Sequence, residues 1–204
     1  MAAAAAMRKN KKKEENLRIF FLFLIRCDIV GKTEVHRMYV KTKRLELRPF
    51  AETDQDATVR ILMNNQVNRT YMLPDFESPE KAAGLFRRLM DLSLKEGRYV
   101  AAISLEGEVI GFLNDVEIEG DSIELGYVIH PDHWGKGYMT EALVGVTGEL
   151  HSCGFRQVVT GAFDTNLASI RVMEKAGMQR IEKTDAIEYR GKTHNCVYYV
   201  AVKP

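Results

Sequence analysis

The chain has 204 residues, of which 46% are hydrophobic and 28% charged, and its formal net charge is +1. This composition is typical of a globular domain and excludes collagen, a disordered tail and a bundle of membrane helices, and the near-neutral charge gives no footprint for nucleic acid. Three scattered cysteines without a CxxC pair indicate neither a disulfide scaffold nor a structural zinc site, so we expect no metal and a reducing, cytoplasmic compartment.

Residues 1–37 differ in charge from the rest, with nine Lys and Arg against four Asp and Glu. An alanine run, a basic patch at 8–13 and a short apolar stretch at 19–25 follow one another in the order of a secretory signal. Two charged residues come directly afterwards, no A-x-A-like cleavage site is visible, and a spanning helix would need about 20 apolar residues. We therefore expect residues 1–37 to be an extension outside the core fold and 38–204 to form the domain; export is the open alternative.

Hydrophobic periodicity predicts the elements of the domain in chain order. Alternating apolar and charged residues predict a strand at 43–50, and a helix follows at 52–65. Ser78 and Gly97 are the expected start and stop of a second helix. A meander of three strands follows, at 99–105, 109–118 and 122–130.

The second half of the domain alternates between helices and strands. The predicted elements are a helix at 136–152, a strand at 157–163, a helix at 166–176, and two strands at 178–189 and 194–202. Together with the first half they predict an α+β, or layered α/β, domain: a mixed sheet with helices on both faces.

A turn with two glycines, Gly135 and Gly137, joins the strand at 122–130 to the next helix. Glycine lets the backbone approach a ligand closely, and the first unpaired N–H groups of a helix point at an anion. This turn therefore predicts a phosphate or pyrophosphate site, with a simple tight turn as the alternative. Thr140 stands where the dinucleotide motif GxGxxG needs Gly or Ala, and GxxxxGK[ST] is absent, which disfavours dinucleotides and triphosphates.

A second motif lies in the helix that Asn166 opens and Gly177 closes. Its sequence NLASIRVMEKAGM, with LGYVIHPDHWGKGYMTEAL before it, resembles the GNAT superfamily of acetyl-CoA-dependent N-acetyltransferases, most closely its RimJ/RimL-like branch. The resemblance covers residues 42–202. It implies a GNAT-like, mostly antiparallel sheet whose central strands splay apart at the acetyl-CoA site, with acetyl-CoA as co-substrate. It also implies acetyl transfer to a primary amine, on a protein N-terminus or a small molecule.

The resemblance assigns the coenzyme pyrophosphate to the amides of the glycine turn. The residues concerned are Trp134, Gly135, Lys136, Gly137, Tyr138, Met139 and Thr140. Met139 stands where the family has a small residue, so we expect its side chain to point into the core, away from the phosphates.

The strand before the turn is implied to bind the pantetheine arm. The backbone groups concerned belong to Tyr127, Val128, Ile129 and His130, and they would also polarise the acetyl carbonyl. Gly126 is the expected position of a bulge in this strand.

The helix of the second motif is implied to complete the coenzyme site. Asn166 is expected to cap that helix and to bond the pantetheine arm. Ser169 is the candidate that protonates the departing thiolate, with a solvent-facing helical serine as the alternative. Met173 stands where many GNAT enzymes have a Tyr general acid; it cannot donate a proton, and we assign it to the coenzyme site only.

Glu124 is the first choice for the general base, because alternation places it on one strand face with Gly126. Burial could raise the pKa of this carboxylate and suit it to accept a proton from the amine. His130 lies on the same face, Asp115 and Glu117 lie on the neighbouring strand, and a structural, ion-paired role for Glu124 stays open. The sequence has no recognisable nucleophile motif, so direct attack by the amine is expected.

The acceptor and the assembly are less defined by the sequence. The segment at 52–97 is expected to face the acceptor, with Tyr71, Asp75 and Phe76 as exposed candidates. We expect a monomer or homodimer that binds neither nucleic acid nor membrane. Met139, Met173 and the unassigned base leave a non-catalytic acyl-CoA sensor or interaction module as the alternative, and a phosphate-binding protein unrelated to coenzyme A as a third.

Overall fold

The computed structural model describes residues 38–204. The predicted extension and its secretory alternative, at 1–37, lie outside the described residues. Within 38–204 the strands are β1 (Val40–Lys41), β2 (Leu45–Arg48), β3 (Ala101–Leu105), β4 (Glu108–Glu119), β5 (Ser122–Ile129), β6 (Gln157–Phe163), β7 (Gln179–Tyr189) and β8 (Lys192–Val202). They form a single sheet in the order β1-β2-β3-β4-β5-β6-β8-β7.

Helices cover both faces of the sheet, as predicted. They are α1 (Gln55–Leu62), α2 (Pro79–Leu94), α3 (Tyr138–Ser152) and α4 (Leu167–Lys175). Apolar residues of α1 and α2, such as Ile61 and Phe86, pack on one face, and those of α3 and α4, such as Val146 and Met173, pack on the other. None of the helices between residues 38 and 204 has the length and apolar character needed to cross a bilayer.

The sheet is mixed and mostly antiparallel, and its one parallel pair, β5 with β6, creates an opening. The β5–β6 register ends at the pair Leu125–Thr160. Strand β6 continues to Phe163, paired only with β8 on its other side, while β5 continues to Ile129 beside β4. The two central strands therefore diverge beyond Leu125, which confirms the predicted splay.

The predicted bulge at Gly126 is wrong in its position. Gly126 pairs regularly with Asn114, and the register shift lies on β4, between Asp115 and Glu117. Asp115 is fully buried, accepts a hydrogen bond from the backbone N–H of Tyr99 and forms an ion pair with Arg98 at 2.7 Å. This anchor holds β4 at Asp115, so the extra residue is accommodated directly after it and not in β5.

Several element ends differ from the prediction. The segment after β2 starts as a short 3-10 turn because the Asp54 carboxylate accepts hydrogen bonds from the Ala51 N–H and from Arg48. Helix α1 then ends at Leu62, three residues before the expected end. Ser78 occupies the N-cap position of α2, but its side chain makes no capping hydrogen bond.

Candidate active site

A cavity of about 550 Å³ lies where β5 and β6 diverge. At one end it is bounded by the glycine turn and the first turns of α3 and α4. At the other end, called here the far end, it is lined by Val67, Thr70, Tyr71, Met72, Asn114, Val116, Glu124, Ile187, Cys196 and Tyr198. Strand β5 runs between the two ends, so one cavity contacts both the predicted anion site and the predicted base.

The glycine turn has the geometry of an anion site. Gly135 and Gly137 have φ values of +72° and +79°, the left-handed region that favours glycine, and Gly137 is the N-cap of α3. The first intrahelical bond runs from the Glu141 N–H to the Gly137 carbonyl at 3.0 Å. The N–H groups of Tyr138, Met139 and Thr140 therefore have no acceptor within the helix and can bind a phosphate oxygen.

Arg44 supports this turn from the loop before β2, a contact that the sequence did not predict. Its Nε lies 2.6 Å from a carboxylate oxygen of Glu141, and its Nη1 donates to the Lys136 carbonyl at 3.0 Å. Its guanidinium also lies 4.4 Å from the ring centroid of Tyr138. These contacts hold the turn in place, and the Glu141 carboxylate compensates the charge of Arg44.

Most of the predicted coenzyme residues line the cavity. From the turn and β5 these are Tyr127, Val128, Ile129, Trp134, Gly135, Gly137, Tyr138, Met139 and Thr140, and from α4 they are Asn166 and Ser169. The Met139 side chain is 5% exposed and packs in the core below α3, which confirms its predicted direction. The Trp134 indole donates to the Ile129 carbonyl at 2.8 Å and so braces the turn against β5.

Three predicted coenzyme residues, His130, Lys136 and Met173, do not line the cavity. The His130 N–H donates to the Ile110 carbonyl, and its ring lies beside Asn64. Lys136 is exposed to solvent. Met173 is fully buried, because its position on α4 faces the sheet, and its sulfur accepts a hydrogen bond from Thr160 at 3.0 Å.

The backbone of β5 faces the opening at alternate residues. Because His130 directs its N–H towards β4, the alternation of an antiparallel ladder directs the polar groups of Tyr127 and Ile129 to the opposite edge. That edge has no strand partner beyond Leu125. The Ile129 carbonyl is bonded to Trp134, which leaves the Ile129 N–H and both polar groups of Tyr127 facing the cavity.

Helix α4 brings its first turn against β5. The Asn166 side chain accepts a hydrogen bond from the Ser169 N–H at 3.2 Å, which confirms the predicted cap. The Ser169 hydroxyl lies 2.7 Å from the Tyr127 hydroxyl. Burial raises the pKa of Tyr127 to about 12, so this phenol is protonated at neutral pH and can donate to Ser169.

Glu124 lines the far end, and its side chain is only 14% exposed. Its carboxylate accepts a hydrogen bond from Lys183 at 2.9 Å. Burial raises the pKa of Glu124 above its ordinary value, while Lys183 acts in the opposite direction. Asp115, by contrast, is bound to Arg98 and does not line the cavity, so Glu124 is the one carboxylate among its described lining residues.

Two hydrogen-bonded pairs at the far end were missed by sequence analysis. The Tyr71 hydroxyl donates to Asn114 Oδ1 at 2.6 Å, and the Tyr198 hydroxyl donates to Asp185 at 2.7 Å. The two members of each pair come from separate elements, so no sequence motif predicts their contact. Lys183 lies 4.2 Å from the Tyr198 ring centroid and so joins this group to Glu124.

Of the three candidates for the acceptor side, only Tyr71 lines the cavity. Asp75 forms an ion pair with Arg190 on the surface. Phe76 packs against the apolar cluster below α1 and α2. No group of three or more His, Cys, Asp or Glu side chains that could hold a metal occurs among residues 38–204.

Comparison with known proteins agrees with this geometry. Residues 44–179 match the acetyltransferase (GNAT) domain family. The protein named as the uncharacterized N-acetyltransferase YoaA of Bacillus subtilis (strain 168) is 28% identical over 171 residues, which cover 81% of this chain and 97% of that protein.

Two solved structures share the fold at low sequence identity. A GNAT-family acetyltransferase from Bacillus anthracis has a TM-score of 0.70 at 23% identity, covering 81% of this chain and 98% of its own. A RimL ribosomal L7/L12 alpha-N-protein acetyltransferase, solved in complex with coenzyme A, has a TM-score of 0.72 at 20% identity, with the same coverage. Since the family match spans most of the described domain, this chain belongs to the GNAT family and is an N-acetyltransferase.

Proposed function

We propose that this enzyme transfers the acetyl group of acetyl-CoA to a primary amine by direct attack of the amine. The observation that supports this most strongly is the divergence of β5 and β6 directly beside an anion-binding glycine turn. A thioester with a long amide-bearing arm and a pyrophosphate needs both features at once. A solved RimL structure of the same fold contains coenzyme A.

The residues present fit this co-substrate. The outward N–H groups of Tyr138, Met139 and Thr140 would hold the pyrophosphate, with Arg44 supporting the turn. The backbone groups of Tyr127 and the Ile129 N–H would pair with the pantetheine amides and polarise the acetyl carbonyl. Met139 does not oppose binding, since its side chain is in the core.

Two side chains would carry out the proton transfers of the reaction. The amine nitrogen forms a bond to the acetyl carbon, and the bond from that carbon to sulfur breaks. Glu124 would accept the proton that the amine loses, directly or through a water, and Ser169 would donate one to the departing thiolate. Tyr127, 2.7 Å from Ser169, would return a proton to Ser169 and regain its own from solvent that enters the cavity after the transfer.

The acceptor belongs to the class of primary amines. The RimL neighbour is named for the α-amine of a ribosomal protein, which makes a protein N-terminus one candidate and a small molecule the other. Among the described lining residues, Cys196 is the one cysteine. Burial raises the pKa of its thiol to about 11, which makes it a poor nucleophile at neutral pH. The proposed transfer therefore proceeds without a covalent acyl-enzyme.

The test is calorimetric titration of the full chain with acetyl-CoA, followed by thiol release against a panel of amines and N-terminal peptides. Micromolar binding with turnover on at least one amine supports the proposal. Binding without turnover on any amine would favour the sensor alternative. Absence of coenzyme binding would overturn the assignment of the glycine turn.

A further inference from the structure

The far end of the cavity is lined mainly by apolar side chains, and the two acidic groups in or beside it, Glu124 and Asp185, already have partners. Its walls include Val67, Met72 and Ile187, together with the rings of Tyr71 and Tyr198. Glu124 is the one carboxylate among the described lining residues, and Lys183 already neutralises it at 2.9 Å. The Asp185 carboxylate accepts the hydrogen bond of the Tyr198 hydroxyl. An acceptor with several ammonium groups would therefore bring more positive charge into this space than the two paired carboxylates can balance, which is costly.

One polar side chain in this apolar wall is fixed in orientation. The Tyr71 hydroxyl donates to Asn114 Oδ1 at 2.6 Å, and the other atom of that amide, Nδ2, donates to the Asp115 carbonyl at 3.0 Å. The Tyr71 ring packs edge-on against Phe112, with 5.9 Å between centroids. With its proton committed to Asn114, the Tyr71 oxygen offers its lone pairs to a donor in the cavity.

This oxygen lies over the part of β5 where the opening begins. A Cβ atom built on Gly126 would lie 3.4 Å from the Tyr71 oxygen and 3.5 Å from Asn114 Oδ1. Gly126 precedes Tyr127, which is the first residue whose backbone faces the opening. Gly126 also lies on the same strand face as Glu124, about 7 Å away along the strand. An amine between Tyr71 and Glu124 would therefore approach the thioester from the α1–α2 face of the sheet.

From these contacts we infer that the acceptor is a primary monoamine on an uncharged apolar or aromatic body, and that Tyr71 orients it by accepting an N–H hydrogen bond. This inference rests on the proposed function. In the transfer, the amine nitrogen bonds to the acetyl carbon, the carbon–sulfur bond breaks, and the amine proton passes to Glu124. The apolar body packs against Val67, Met72 and Ile187.

The first test compares acceptors on the full wild-type chain at saturating acetyl-CoA. The panel is 2-phenylethylamine, a neutral peptide that begins with Phe, spermidine and kanamycin, and the readout is kcat/KM from thiol release. We expect the apolar amines to exceed the polycations by about 10-fold or more, which corresponds to about 1.4 kcal/mol. The small amine and the peptide distinguish a free metabolite-like acceptor from a protein N-terminus; preference for spermidine or kanamycin would overturn the inference.

The second test is Tyr71→Phe, which keeps the ring and removes only the oxygen. We expect kcat/KM for the preferred amine to fall about 10-fold, mainly through the KM of the amine, while the KM of acetyl-CoA is unchanged. Tyr39→Phe, at a tyrosine that is 56% exposed, is the matched control. A variant with lowered thermal stability but wild-type kcat/KM would show that Tyr71 is only structural and would overturn its role.

The experiments distinguish a wrong acceptor class from a wrong activity. If acetyl-CoA neither binds nor is consumed with any amine, the proposed function is wrong. If transfer occurs but without preference for apolar monoamines, the proposed function stands and the acceptor class is wrong.

Discussion

The hydroxyl oxygens of Tyr127 and Ser169 lie 2.7 Å apart and connect β5 to the first turn of α4 across the opening of the sheet. The backbone of Tyr127 faces the cavity, and its side chain contacts α4. The same residue therefore contributes to the proposed acetyl-carbonyl site and contacts Ser169, the proposed general acid. Because the pKa of Tyr127 is raised by burial to about 12, the pair keeps its proton throughout the neutral pH range.

Replacing Ser169 by Ala should lower kcat by about 100-fold, since a positioned general acid contributes roughly that much or more. The dissociation constant of acetyl-CoA should not change, because the role is confined to the leaving group. The measurement is steady-state thiol release with calorimetry. Ser152→Ala, at an exposed serine whose hydroxyl donates to Gly148, is the control, and an unchanged kcat in Ser169→Ala would remove Ser169 from the mechanism.

Replacing Lys183 by Met should move the acidic limb of the pH–rate profile to higher pH. The base is active when deprotonated, so activity rises with pH through the pKa of Glu124. Burial raises this pKa and Lys183 lowers it, and removing Lys183 therefore raises it further. The profile of kcat/KM checks this, with exposed Lys192→Met as control. A limb that stays in place, or moves to lower pH, would mean that Glu124 is not the titrating base.

Replacing Gly137 by Ala should weaken coenzyme binding. At φ +79° an L-residue is strained by roughly 1–2 kcal/mol, so the turn would relax and its N–H groups would lose their alignment. Gly148→Ala is matched to it in the same helix: that glycine has open space around it and should stabilise α3 by about 1 kcal/mol. Calorimetry with coenzyme A and thermal unfolding separate the two effects; equal affinities in both variants would contradict the predicted anion site.

Replacing Tyr189 by Phe should loosen the wall that contains Tyr71. The Tyr189 hydroxyl donates to the Asn68 carbonyl at 2.7 Å and lies 3.2 Å from that of Leu73, which ties this segment to the β7–β8 hairpin. Leaving these carbonyls unbonded should cost about 1–2 kcal/mol in the free energy of unfolding. It should also raise the KM of the amine. Denaturant unfolding and amine kinetics provide the measurements, and wild-type values in both would show that the segment holds its position without this bond.

Local signals in the sequence were sufficient to predict the elements and one half of the site. The glycine turn, the cap at Asn166 and the alternation along β5 each depend on residues close together in the chain, so their chemistry is visible in a short window. The burial of Met139, by contrast, was expected from the family resemblance, because a small residue stands at that position in the family. The divergence of β5 from β6 is not visible in local signals and was expected only through the same resemblance.

Tertiary structure alone decided which residues meet at the far end of the cavity and where the bulge between β4 and β5 lies. Tyr71 meets Asn114, and Glu124 meets Lys183, across separate elements whose distance in sequence hides their contact. The bulge belongs to β4 and not to Gly126 because the buried Asp115 is anchored by Arg98, a long-range constraint that periodicity does not express. The sequence thus determined the glycine turn, because its conformation depends on neighbouring residues, while the packing of distant segments decided what surrounds the proposed amine.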